Sequence, residues 1–249
     1  MRVYAVWNGK GGTGKTTTAV NLAYNLSVLG QKVLLVDLDP QTNATPFFTK
    51  ANENAYTVRN LFRELFEHPE KVKRCIYRSK YPLLDVIKGD THLSEADAHD
   101  DYTIKDALWN VKAEYDVAVI DCRPSFENLT RNALCAADIL VTPIQLDGYC
   151  KDNLALVQRM YDEILTDYPD HEIEWKVFAN KVRLLKSSRN IYSELMTKYT
   201  YPLVTTCVSD RAAVSSATVA KKPLLKHRKN DVATEDFMSL TKEYCLPQR

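Results

Sequence analysis

With 249 residues, 45% of them hydrophobic, the chain can build one large α/β core; its formal net charge of +1 leaves no bulk excess with which to hold a polyanion. No apolar run approaches bilayer-spanning length, and the first residues read as a strand rather than as the charged, apolar and small-residue order of a secretory signal, so the expectation is a cytoplasmic protein. Six cysteines without C-x-x-C spacing, mostly in apolar or helical segments, read as reduced and structural.

The first strand pattern covers 2–7 and runs into a glycine-rich stretch. Gly9, Gly11, Gly12 and Gly14 fall within six residues of a chain that has only seven glycines, so the backbone here needs conformations or close approaches that a Cβ would block. Residues 9–16 fit G-x-x-x-x-G-K-[ST]. In that motif the amides of Gly11, Gly12, Thr13 and Gly14 ring a phosphate, Lys15 neutralises terminal oxygens, and the hydroxyl of Thr16 ligates magnesium. A helical pattern follows (Ala19, Leu22, Ala23, Leu26, Leu29), so an anion, the amides and a helix N-terminus coincide. Gly9, Gly11 and Gly14 also satisfy the dinucleotide fingerprint G-x-G-x-x-G, with Asp37 where a ribose acid could sit; Lys15, Thr16 and Thr17 decide against it, because a pyrophosphate fingerprint has no need of a lysine followed by hydroxyls.

Gly30 closes this helix as a C′ residue. Further strand patterns cover 32–37, 83–87, 116–121, 139–143, 173–179 and 203–208, separated by helical patterns at 58–66, 127–137, 148–168, 189–199, 211–220 and 231–246. Between them lie a polar loop at 39–54, a basic segment at 71–80, and an acidic stretch at 90–101 that reads as a solvated connection. Such alternation implies an α/β fold with a largely parallel sheet covered by helices; without a Gly- or Ser-rich linker, residues 1–249 read as a single domain.

A phosphate loop in such a sheet needs acids at the carboxyl ends of neighbouring strands. Asp37 and Asp39 end one buried strand and Asp121 ends another. Asp121 is expected in the magnesium shell, through water, with Asp37 as a second contributor, while Asp39 is placed to orient an attacking water. Lys10, a cation leaving the loop, is a candidate to point toward a facing subunit.

The run 8–18, together with 33–45, 115–125 and Asn132-Ala133-Leu134, resembles the deviant Walker ATPases of the ParA type (the ParA/Soj/MinD superfamily), closely up to about residue 150 and more weakly beyond. The resemblance implies a doubly wound, mostly parallel sheet with helices on both faces (the P-loop NTPase fold) and an ATPase that takes ATP with Mg2+ and sandwiches two nucleotides between two subunits. It assigns Lys10 as the signature lysine reaching the partner's nucleotide, Lys15 as the phosphate-loop lysine, Thr16 as the magnesium ligand and Thr17 as the α-phosphate ligand. Asp39 would position water, and Asp121 would be the Walker B acid. Two residues depart from the pattern. Arg123 stands where the family usually has proline, which puts an extra cation beside the γ-phosphate switch. Lys221 replaces a glycine that usually precedes the late Lys-Pro pair, here Lys222-Pro223, and local backbone geometry is expected to differ there.

The strongest basic cluster is Lys221, Lys222, Lys226, Arg228 and Lys229, preceded by Arg211 and by Lys181, Arg183, Lys186 and Arg189. A bare basic run is most often a solvated face; the resemblance implies non-specific DNA binding by the ATP-bound homodimer, association with the nucleoid, and a ParB-like centromere-binding partner that stimulates turnover, in plasmid or chromosome partition. With the first strand starting at Arg2, an N-terminal operator-binding module is not expected. Asn180, just after a strand, is placed where an amide could read adenine. A membrane-associated, MinD-like positioning ATPase would need a basic amphipathic C-terminal helix, which the mixed charges Glu235, Asp236, Lys242 and Glu243 do not give. An iron-sulfur reductase would need glycine-flanked cluster cysteines, which Cys122 and Cys150 are not.

Overall fold

The structure, a computed structural model, describes residues 1–50 and 55–245. The chain begins β1 (Arg2–Val6), α1 (Lys15–Val28), β2 (Val33–Asp37), α2 (Thr45–Phe48), α3 (Val58–Arg63), β3 (Ile76–Arg78) and β4 (Leu84–Ile87). It continues α4 (Thr103–Trp109), β5 (Val117–Asp121), α5 (Asn128–Ala136), β6 (Ile139–Ile144), α6 (Cys150–Asp167) and β7 (Glu174–Ala179). α7 (Lys186–Lys198), α8 (Ala212–Val219), α9 (Leu224–His227) and α10 (Val232–Cys245) follow.

The strands form one sheet in the order β3-β4-β2-β5-β1-β6-β7, parallel throughout except for β3 against β4. β2 and β5 are buried at every position, as continuous apolar runs require when both faces are covered. One face carries α1, α2, α9 and α10, packed through Leu22, Leu26, Phe47, Phe48, Leu224, Phe237 and Leu240. The other carries α3, α4, α5 and α6, packed through Leu61, Phe62, Ile104, Leu129, Leu134, Leu154 and Ile164. From β1 the chain goes out to β2 and β4 on one side, returns to β5, then crosses to β6 and β7 on the other, so the sheet's switch point lies at the carboxyl ends of β1 and β5. Register puts Asp37 opposite Asp121 and Asp121 opposite Val6, which brings both strand-terminal acids level with the start of the glycine loop.

Gly30 takes the left-handed C′ conformation expected of it (φ 90°), and its N–H donates to Ser27 O. Several features depart from the sequence reading. Within the loop expected at 39–54, of which 51–54 lie outside the described residues, Thr45–Phe48 form α2. The pattern at 203–208 is not a strand of the sheet: Leu203 and Ser209 make isolated bridges, to Val177 and Val182, and the chain between them meets β7 at two separated points, where the Val204 and Val208 N–H groups donate to Val177 O and Ala179 O (both 2.8 Å), so no continuous ladder forms. β3 lies inside the basic segment, where a three-residue antiparallel edge leaves no alternation to detect. The short α4 was missed. The acidic stretch is not merely solvated: a 3-10 turn, Glu95–Asp97, is capped by Ser94 and buries Asp97, which pairs with Arg59 at 3.2 Å.

Lys221 also departs from expectation. Its backbone keeps a left-handed conformation (φ 49°) at the C′ position of α8, the geometry a glycine would supply there, and its ammonium lies over the Phe47 ring. The apolar face of α10 packs into the core through Phe237, Leu240 and Tyr244. Among the described residues no helix is long and apolar enough to cross a membrane.

Candidate active site

The loop after β1 is shaped by two left-handed glycines, Gly12 (φ 79°) and Gly14 (φ 96°), the second capping α1. A Cβ on Gly14 would stand 2.3 Å from Asn180 Nδ2. Neighbouring elements hold the loop by its carbonyls and its entry. Buried Asn8 accepts the Lys10 N–H on Oδ1 (2.8 Å) and donates Nδ2 to Pro143 O (2.8 Å) at the end of β6. Asn180 Nδ2 donates to Thr13 O (2.8 Å), while Gly12 O accepts from both Lys181 Nζ (2.7 Å) and Gln145 Nε2 (3.0 Å). Lys15 is folded back and buried, donating Nζ to Lys10 O (3.0 Å); burial lowers its pKa, an effect that Asp121 opposes.

Three carboxylates face this loop from β2 and β5. Asp37 Oδ2 accepts the N–H (2.7 Å) and the hydroxyl (2.6 Å) of Thr45 at the start of α2, and burial raises its pKa to about 6. Asp39 is buried and turns Oδ1 toward the Gln41 N–H (2.9 Å). Asp121 is fully buried, and neither of its carboxylate oxygens finds a hydrogen-bond partner among the described residues. Burial and then repulsion from Asp37 push its pKa well up, against the opposing pull of Thr16 and Lys15. Two orphaned carboxylate oxygens beside a threonine hydroxyl and a second buried acid form an all-oxygen donor set suited to a hard divalent cation.

Lys10 does not project freely from this chain. Its Nζ lies 2.6 Å from Asp147 Oδ2, just past β6, with the Tyr149 ring alongside. Nor does Arg123 stand as a bare cation beside the site: its Nη1 is 2.6 Å from Glu95 Oε1. Asn180 engages the loop directly. Its Nδ2 is spent on Thr13 O, and its Oδ1 accepts the Lys181 N–H (3.0 Å), so it clamps the loop and walls a cavity lined by Gly14, Thr17, Asp210, Arg211 and Val214. Thr17, in the first turn of α1, borders the same cavity. Of the late basic residues, Lys222, Lys226, Arg228 and Lys229 are exposed around α9, and Arg211 reaches Asp231 only loosely, at 3.9 Å. Lys181 and Arg183 serve elsewhere, on Gly12 O and on Asp210 (2.6 Å).

Sequence reasoning missed Asp147, Gln145, Thr45 and Glu95. Asp147 and Gln145 had a usable signal, since they follow a strand adjacent to β1 and so belong to the same crevice. Glu95 had none, lying in a turn far off in sequence.

The AAA domain family matches residues 1–171, a span that contains the glycine loop, Asp37, Asp39, Asp121 and Asp147. The chain belongs to that family, in its ParA/MinD superfamily of P-loop ATPases. It is 29% identical to the chromosome partitioning protein ParA of Caulobacter vibrioides (strain NA1000 / CB15N), over all of this chain and 96% of that one. In fold it is similar to a single-substitution variant of Cyanothece McdA in its ATP complex, with a TM-score of 0.85 and 18% identity over all of this chain and 98% of that one. It is likewise similar to MinD of Pyrococcus horikoshii complexed with Mg-ADP, with a TM-score of 0.78 and 18% identity over 98% and 96% of the two chains. The family match makes the chain an ATPase of the P-loop class, and the two structural neighbours share its fold. Cys122 and Cys150, the thiols an iron-sulfur reading would use, are both buried.

Proposed function

We propose that the chain is a DNA-segregation ATPase, working in plasmid or chromosome partition, whose nucleotide state switches self-association and DNA affinity. The observation that carries the reading is the pair of unpartnered Asp121 oxygens facing the loop that holds Lys15. Mg2+, held by Thr16 and Asp121 with Asp37 as a second carboxylate, would supply charge neutralisation on the phosphates of ATP. The chain's own residues do the rest. Lys15 leaves the Lys10 carbonyl for a phosphate oxygen, the loop amides cradle the β-phosphate, and Thr17 meets the α-phosphate. Adenosine takes the cavity that Asn180 walls, and Asp39 orients the attacking water. Phosphoryl transfer asks mainly for positioning and charge, so these modest groups suffice.

Lys10 reaches the nucleotide of a second copy, which couples ATP to a homodimer. In that dimer the exposed cations around α9, with Arg211, meet DNA phosphates without reading bases. A ParB-like centromere-binding protein stimulates turnover, and the protein works at the nucleoid. The test is sedimentation velocity with ATP, ADP and no nucleotide, alongside phosphate release, for wild type and Lys10→Ala. Wild type should dimerise only with ATP, and Lys10→Ala should stay monomeric. A dimer that ignores nucleotide would refute the switch.

A further inference from the structure

Arg123 sits two residues beyond Asp121 in a loop that leaves the sheet against the phosphate loop's own strand. The Cys122 N–H donates to Val6 O (3.3 Å), and the indole Nε1 of Trp7 donates to Ser125 O (3.1 Å). The Trp7 ring also packs on Phe126, 5.6 Å between centroids. Residues 122–126 therefore lie across the end of β1, where the glycine loop starts.

The Arg123 guanidinium is held by Glu95 at 2.6 Å, with Glu127 3.9 Å away. The second Glu95 oxygen accepts the Leu129 N–H (2.8 Å) in the first turn of α5. Glu95 is a fixed anion because its turn is fixed: Asp97 accepts from Ser94 (N–H, 2.9 Å; hydroxyl, 3.1 Å) and from Arg59 (3.2 Å), with Arg63 at 3.6 Å. The Arg123–Glu95 pair itself is partly exposed, 28% and 23% by side chain, so solvent screens it and a stronger anion can win the guanidinium. The same loop contains a second unsettled group, the buried Ser125 hydroxyl, which has no hydrogen-bond partner among the described residues.

Resting on the reading that ATP fills the glycine loop, we infer that Arg123 is a γ-phosphate-directed cation held in reserve by Glu95. When the terminal phosphate arrives, Arg123 exchanges the Glu95 carboxylate for it and the loop shifts with the guanidinium. Charge developing on the transferring phosphoryl group then meets a cation from its own chain. Glu95 is a positioning residue that restrains this exchange and so slows turnover.

The test measures mant-ATP and mant-ADP affinity, steady-state phosphate release, and Trp7 fluorescence in a Trp109→Phe, Trp175→Phe background. Glu95→Gln keeps an acceptor for the Leu129 N–H but removes the charge opposite Arg123. It should raise kcat about three- to fivefold, the range of a screened ion pair, with KM little changed. Arg123→Ala should lower kcat by about tenfold or more, leave mant-ADP affinity unchanged and abolish the ATP-specific Trp7 signal. Glu95→Gln combined with Arg123→Ala should behave as Arg123→Ala alone. Should Glu95→Gln fold poorly, Arg123→Ala decides by itself. Wild-type turnover in Arg123→Ala, or no gain from Glu95→Gln in a folded protein, overturns the inference while leaving the ATP reading intact. A wild-type chain that binds no mant-ATP defeats both.

Discussion

The ammonium of Lys10 stands 2.6 Å from the carboxylate of Asp147, so the cation that leaves the glycine loop is tied to its own chain. Both side chains are about one-third exposed, and the pair contributes about 0.5 kcal/mol to folding. Asp147→Ala should therefore change thermal stability little. It should tighten ATP-dependent dimerisation about two- to threefold, because Lys10 no longer has an internal partner to leave. Sedimentation equilibrium with ATP measures this; weaker dimerisation would mean that Asp147 orients Lys10 instead of restraining it.

Asp39→Ala should bind mant-ATP and dimerise as wild type does, yet hydrolyse about a hundredfold more slowly, since the carboxylate's task is to place water. Phosphate release under single-turnover conditions reads this directly. Loss of nucleotide binding would assign Asp39 to the metal instead.

The buried acids set a pH dependence. Asp37 titrates near 6 in the folded chain against an ordinary value of 3.8. The unfolded chain therefore releases that proton first, and the stability carried by this group is full below the ordinary value and is lost as pH rises toward 6. Asp37→Asn removes the titration while keeping an acceptor for Thr45. The stability difference between Asp37→Asn and wild type should accordingly grow by on the order of 3 kcal/mol between about pH 4 and about pH 7 without magnesium. Urea denaturation across that window checks it, and a pH-independent difference would contradict it.

Lys221 occupies a left-handed position that costs an L side chain about 1 kcal/mol. Lys221→Gly should raise stability by about 0.5 to 1 kcal/mol, the relief of strain being partly offset by glycine's greater unfolded-state freedom. The slope of log affinity against log salt on DNA should stay as in wild type, since the Lys221 ammonium lies over Phe47 and not among the exposed cations around α9.

Asn21 joins the nucleotide side of α1 to α9: Nδ2 donates to Thr17 O (2.8 Å), and Oδ1 accepts the Leu224 N–H (2.8 Å). Asn21→Ala should leave ATP hydrolysis within about twofold of wild type while weakening DNA retention in the ATP state by about tenfold, as the α9 cations lose their fixed place. Equal losses in both assays would show that Asn21 only supports the fold.

The frame of this molecule was legible because its strands are unmixed apolar runs and its glycines are concentrated at one turn. Asp37, Asp39 and Asp121 could be found because a parallel sheet puts acids at strand ends where ligands bind. Partners could not be read. That Lys10 meets Asp147, Arg123 meets Glu95, and Asn180 spends its amide on Thr13 depends on loops from distant strands converging, which no local spacing encodes. β3 escaped notice because three residues on an antiparallel edge carry too little pattern; Lys221 stands out in the sequence as a replaced glycine, but that its backbone keeps the left-handed turn is fixed by the end of α8, which no local pattern encodes.

The most direct test of the switch is retention on random-sequence DNA at rising salt, with ATP, ADP and no nucleotide, for wild type and Lys10→Ala. The account predicts salt-sensitive retention by wild type in the ATP state alone, and none by Lys10→Ala in any state. Equal retention by both proteins in all three states would contradict it.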